Sequence, residues 1–130
     1  MQEKHLFEYA VIRLVPRVER EEFLNIGVIL YCRDLSFLDT CIRIDKTRIE
    51  SFYAGLDLDC IQQNLQSYSR IAAGEGEGGA IAKLDPASRF RWLTATRSTI
   101  LQSSKVHPGL CTDPVSTLQS LFETLVSNGG

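Results

Sequence analysis

The chain has 130 residues, 44% hydrophobic and 23% charged, with a formal charge of −2, which fits a single soluble globular domain over 1–130 able to bury a core without disulfides or metal. That balance gives no global nucleic-acid signal, and no apolar run reaches the ~20 residues of a membrane span. The polar start Met1-Gln2-Glu3-Lys4-His5 lacks an apolar signal core, so a cytoplasmic protein is expected.

Phe7 to Val15 alternate and are rich in β-branched and aromatic residues, which predicts a strand that Pro16 ends. The charged stretch Arg17-Val18-Glu19-Arg20-Glu21-Glu22 then leads into an apolar run, Phe23 to Cys32, the second strand. Arg33-Asp34-Leu35-Ser36 turn the chain into a third strand from Phe37 to Asp45. Connections this short give an antiparallel meander.

Side-chain parity assigns the faces. Even-numbered positions (Ala10, Ile12, Leu14, Leu24, Ile26, Val28, Leu30, Cys32, Leu38, Thr40, Ile42, Ile44) are almost wholly apolar and are expected to face the core. The odd face is mixed. A first turn centred near residue 19 puts Arg13 opposite Asn25; a second centred near 35 puts Asn25 beside Asp45 and Gly27 beside Arg43. A polar row would then cross the sheet, serving either as a ligand site or as a network that fixes register. Gly27 within a strand implies close approach by another element or a ligand.

Helical signals follow. Thr47 and Glu50 fit a capping box for a short helix reaching about Ala54 and stopped by Gly55. Asp57 or Asp59 caps a longer helix whose stripe is Leu58, Ile61, Leu65, Tyr68 and Ala72, ending at Gly74. The run 74–79 satisfies G-x-G-x-x-G formally, yet it follows a helix and carries two glutamates, so it reads as a mobile surface loop rather than a dinucleotide site. Asp85-Pro86 starts a helix over 86–94; Ser98 to Val106 read as extended; His107-Pro108-Gly109 turn; Asp113-Pro114 start a last helix that ends before Gly129. The order favours an α+β fold: an antiparallel sheet, made of the N-terminal three-stranded meander plus a later strand, with helices packed mainly on one face.

The residues that could carry chemistry are few. Arg70, Lys83, Arg89, Arg91, Arg97 and Lys105 surround Trp92 in sequence and form the one locally basic region, suited to phosphate and base stacking or simply to a solvated helix. The four cysteines, Cys32, Cys41, Cys60 and Cys111, include no C-x-x-C pair, and the two histidines have no metal spacing. Buried, reduced thiols are the simple reading; Cys111, in a polar loop, is the best placed for reactivity. Ser103, Ser104 and His107 lack the strained turn and orienting acid of a hydrolase. Glu21, Glu22, Asp57 and Asp59 sit where turns and caps explain them. Neither a cofactor nor a metal is implied.

Four stretches carry a family resemblance: Tyr9 to Pro16, Arg20-Glu-Glu-Phe-Leu-Asn-Ile-Gly-Val28, Arg91-Trp-Leu-Thr-Ala-Thr-Arg-Ser98 and the loop His107 to Asp113. They resemble the family known as domain of unknown function 3037, small bacterial proteins often encoded beside HipA-like kinases. The resemblance implies that Arg13, Arg20, Glu22, Asn25, Gly27, Arg97, Ser98 and Asp113 lie in recurring motifs. It implies no catalytic residue. Three readings follow: an accessory or interaction module whose partner is a HipA-like kinase or a toxin-antitoxin-like system; a nucleic-acid or nucleotide-phosphate binder using residues 89–105; and an uncharacterised enzyme such as a nuclease. The pattern leans away from an enzyme. The candidate binding residues are Arg13, Glu22, Asn25, Gly27, Arg43, Arg97, Ser98 and Asp113.

Overall fold

A computed structural model describes residues 3–16, 22–95 and 100–127. Strand β1 (His5–Leu14) is followed by β2 (Leu24–Cys32) and β3 (Phe37–Ile42), the expected antiparallel meander. Helices α1 (Lys46–Phe52), α2 (Leu58–Ala73) and α3 (Pro86–Thr94) come next, then β4 (Leu101–Ser103), β5 (His107–Cys111) and α4 (Pro114–Phe122). The fold is α+β.

The sheet order is β3-β2-β1-β4, and β5 also pairs with β1. One long strand therefore serves two short ones: His5 to Tyr9 pair with β5, and Ile12 to Leu14 with β4. Ser104 bridges the gap. Its backbone N–H donates to the Val11 carbonyl at 2.9 Å, and its Oγ accepts from the Val11 N–H at 2.8 Å. The stretch His107 to Gly109, expected as a turn, is instead the start of β5. Phe7 makes this possible by laying its ring over Gly109, where an added Cβ would lie 2.5 Å from Phe7 Cζ.

The expected parity fails for a local reason. Ile12 pairs with Gly27 but Arg13 pairs with Asn25, so Ile26 is an extra residue in β2, a β-bulge. Beyond the bulge the two strands pair even with odd, as Ala10 does with Ile29, and β2 with β3 likewise, as Gly27 does with Ile42. Ala10, Ile12, Leu14, Ile26, Ile29 and Tyr31 pack under α1, α2 and α3. Phe7, Val28, Leu30 and Cys32 pack on the other face under Leu118 of α4 and Val126 of the π-helical turn Glu123–Ser127. Three helices thus cover one face and the C-terminal helix covers the other. β2 is buried on both sides from Ile26 to Cys32, which is why it reads as an unbroken apolar run.

Caps follow the sequence closely, with one exception. Asp57, Asp85 and Asp113 accept from the N–H groups of Cys60, Ser88 and Val115, and Pro86 and Pro114 occupy the first helical turn. For α1 the cap is Asp45 rather than Thr47: its Oδ1 accepts from the Arg48 N–H at 3.2 Å. The third strand stops at Ile42, which leaves Asp45 free to cap. Gly74 ends α2 in the left-handed region, φ 74°. The connection to α3 contains two 3-10 turns, Gly76–Gly78 and Ile81–Lys83.

Candidate functional site

The polar row centres on the bulge. Arg13 and Asn25 are cross-strand partners, as the register argument expected. The second half of that argument is off by one residue: Gly27 pairs with Ile42, which leaves Arg43 just beyond the ladder, its N–H donating to the Ile26 carbonyl at 2.8 Å.

These polar groups meet the end of the chain. Asn25 Nδ2 donates to the Leu125 carbonyl at 3.1 Å. Arg48 Nη1 donates both to the Val126 carbonyl at 3.2 Å and to the Asn25 carbonyl at 3.3 Å. Arg43 Nη1 reaches Ser127 Oγ at 3.3 Å, and its Nη2 pairs with Asp45 at 3.4 Å. Carbonyls at a helix C-terminus lack intrahelical donors and carry partial negative charge, so the Asn25 amide and the Arg48 guanidinium are the chemistry that satisfies them, while Arg43 holds the Ser127 hydroxyl beside them. The row works as a clamp on the last turn. Arg48 was missed from sequence because it sits inside the four residues that read as a capping box.

Arg13 is placed differently. Its guanidinium lies 4.0 Å from the centroid of the Phe23 ring, a cation–π contact. Burial lowers its pKa from the ordinary arginine value. Its Nε, and Asn25 Oδ1 beside it, are shielded from solvent without a hydrogen-bond partner among the described residues.

Of the other candidates, Gly27 lies at the bulge and Glu22 adjoins Phe23, whereas Asp113 is distant. Glu22 is exposed just before β2. Gly27 is a packing requirement: a Cβ there would lie 2.9 Å from the Cys41 carbonyl oxygen and from Ile42 Cγ1. Asp113 caps α4, accepting from the Val115 N–H at 3.1 Å and from Ser116 Oγ at 2.8 Å. It follows Cys111, which pairs with His5, eight residues along β1 from Arg13. At roughly 3.3 Å per residue that is about 26 Å, so Asp113 does not join Arg13 and Asn25. Arg97 and Ser98 lie outside the described residues.

Cys111 and the basic region have defined surroundings. Cys111 is buried, and burial, then its neighbour Cys32, pushes its thiol pKa up, the opposite of an activated nucleophile. In the basic region, Arg89 Nη1 donates to the Leu84 carbonyl at 2.8 Å and its guanidinium lies against Gly74. Trp92 is 37% exposed at the mouth of a cleft between α2, α3 and β4. Among the described residues no group of three or more His, Cys, Asp or Glu side chains can hold a metal ion.

A family model described as "Protein of unknown function (DUF3037)" matches residues 9–126, which include the bulge, the cleft and all of the clamp but Ser127. The chain belongs to this family. No curated protein and no solved structure matches it. In this DUF3037 chain, then, three of the expected site residues support the fold: Asn25 holds the C-terminal turn, Gly27 admits β3, and Asp113 caps α4. No described helix is long and apolar enough to cross a membrane.

Proposed function

We propose that this DUF3037 protein is a non-catalytic interaction module of the bacterial cytoplasm, and that it docks a partner protein at the end of the sheet where Leu6 and Leu110 meet. The carrying observation is that these two cross-strand partners are 58% and 65% exposed. Single exposed leucines are ordinary, but a paired patch on rigid strands is not, and Leu35, 43% exposed, lies near the same end. A recess of about 660 Å³ adjoins Leu6, lined by Glu8, Tyr31, Arg33, Asp34, Asp85 and Arg91. An apolar centre with a charged rim of both signs is the anatomy of a protein interface.

The sheet edges themselves are blunted. Pro108 removes a donor from β5, and Asp39 Oδ1 accepts from the Thr40 N–H at 2.8 Å on β3. Docking therefore uses side chains rather than an added strand. A HipA-like kinase is the partner we propose, as the resemblance given above implies. The thiols of Cys32, Cys41, Cys60 and Cys111 are free, in keeping with a reducing compartment.

The test is association of the purified chain with a purified HipA-like kinase from the same host, measured by calorimetry, with Leu6→Glu and Leu110→Glu as variants. Binding that either substitution weakens tenfold or more supports the surface. A pair that fails to associate removes the kinase, and equal binding by both variants moves the interface elsewhere. A phosphate-binding role for the basic region is less well supported, because Arg89 is already committed to Leu84 and Gly74. Tight oligonucleotide binding that weakens steeply with salt would revive it.

A further inference from the structure

The recess beside Leu6 holds charges that do not pair with one another. Its floor comes from the sheet. Leu6 and Glu8 alternate along β1 on the face of Ala10, and Tyr31 of β2 is the cross-strand partner of Glu8. Arg33 follows just past the strand, two residues beyond Tyr31 and so diagonal to Glu8, a relationship that spans about 7–8 Å. The opposite wall is the start of α3, which brings Asp85, Ala87 and, one turn on, Arg91.

Two of the carboxylates are already committed. Asp34 Oδ2 lies 3.5 Å from His5 Nδ1, and Asp85 caps α3, accepting from Ser88 Oγ at 2.6 Å and from the Ser88 N–H at 3.3 Å. The side chains of Glu8, Arg33 and Arg91 make neither an ion pair nor a hydrogen bond among the described residues. The Tyr31 hydroxyl is also without a hydrogen bond there, although Tyr31 is only 9% exposed and its ring packs 5.5 Å from that of Phe90.

This charge pattern selects among ligands. A phosphate would meet three carboxylates, and a simple cation would meet two guanidinium groups. A molecule that carries both charges satisfies both sets. Arginine pairs with a carboxylate through two parallel hydrogen bonds, and a recessed, partly desolvated site strengthens such contacts. Leu6, 58% exposed, and Ala87 offer apolar surface beside the charges. The volume of about 660 Å³ lies within the ~300–1,000 Å³ of small-molecule sites.

We propose that this recess binds a free zwitterionic α-amino acid with an apolar side chain. Its carboxylate lies between Arg33 and Arg91, its ammonium group donates to Glu8 and the Tyr31 hydroxyl, and its side chain covers Leu6. The recess adjoins the Leu6–Leu110 surface, but amino-acid binding does not rest on docking there.

The full-length protein is titrated by calorimetry with L-leucine and L-phenylalanine, with no partner protein present. N-acetyl-L-leucine, which lacks the ammonium, and L-leucinamide, which lacks the carboxylate, are the comparisons. The expected result is saturable binding of at least one amino acid, and binding of both comparison compounds about tenfold or more weaker than that of L-leucine, the loss of one charged hydrogen-bonding partner. Arg33→Gln, Arg91→Gln and Glu8→Gln each weaken the amino acid by a similar factor, whereas Lys46→Gln, exposed on α1 and outside the lining, leaves it unchanged. Circular dichroism establishes that each variant folds, and Arg33 and Arg91 are exposed, so their variants keep the test if Glu8→Gln does not fold. No saturable binding of either amino acid, equal binding of N-acetyl-L-leucine or L-leucinamide, or undiminished binding by both arginine variants overturns the proposal. Because no partner is present, none of these outcomes bears on docking at Leu6 and Leu110, and a failure of docking leaves the recess untouched.

Discussion

Asn25 and Leu125 are joined across 100 residues of chain by one hydrogen bond, from the Asn25 amide in β2 to the carbonyl in the final turn. Arg48 reinforces it by donating to Val126 and to the Asn25 carbonyl from the same guanidinium nitrogen. The two side chains act on one object. Asn25→Ala and Arg48→Ala are each expected to cost about 1–2 kcal/mol, the loss of partly buried hydrogen bonds to helix-terminal carbonyls. The double variant should cost less than the sum by about 0.5–1 kcal/mol, because a turn already released cannot be released again. Urea denaturation of the four proteins measures this cycle. Strict additivity would show that the two residues do not share the turn.

Gly27 tests whether the bulge region is packed or open. A methyl group at this position meets a backbone carbonyl of β3, which cannot rotate away, as well as Ile42 and Ile12. Gly27→Ala is expected to destabilise by about 1–3 kcal/mol through overpacking. Gly76→Ala is the control, since nothing lies within 4 Å of its added Cβ. A thermal shift smaller for Gly27→Ala than for Gly76→Ala would contradict the close approach.

Much of this fold was legible because its signals are local. Asp85-Pro86 and Asp113-Pro114 each place a capping carboxylate before a ring that pre-sets the first turn, and both helices start there. The Arg13–Asn25 pairing followed from turn length alone. What was not legible depends on contacts distant in sequence. The extra residue at Ile26 carries no sequence mark, yet it changes the parity of everything beyond it and so puts Ile29 and Val28 on opposite faces from those expected. Pro108-Gly109 has turn chemistry, and only the Phe7 ring overhead makes it a strand. Within the candidate site, Asn25 and Arg43 contact the chain's own C-terminal turn, a contact distant in sequence that no local pattern announces.

Ser104 illustrates a residue whose role depends on its neighbour. Its hydroxyl accepts from the Val11 N–H and donates to the Lys105 carbonyl, standing in for a ladder acceptor where β4 gives way to β5. Ser104→Ala leaves the Val11 N–H buried and unpaired, at a cost of about 1–3 kcal/mol. Hydrogen exchange at Val11 should accelerate more than at Ala10 or Ile12, which separates a lost acceptor from general loosening. Unchanged protection at Val11 would show that another group takes over.

The thiols should react in an order set by burial. Cys60 is exposed on α2 and Cys41 is half-buried on β3, whereas Cys32 and Cys111 lie in the core beneath α4. The Cys41 pKa is raised by burial and then by Asp39, that of Cys111 by burial and then by Cys32. A raised acid pKa means that the folded state holds its proton longer than the unfolded chain. The stability from the protonated thiols is therefore fully present below the unfolded value near 8.5 and is lost as the pH climbs through the higher folded values. A disulfide reagent at pH 8 is expected to modify Cys60 first and Cys41 more slowly. Cys32 and Cys111 should react only as fast as the Leu118 packing opens. Mass spectrometry of quenched time points gives the order, and modification of Cys111 ahead of Cys41 would show that α4 does not seal this face.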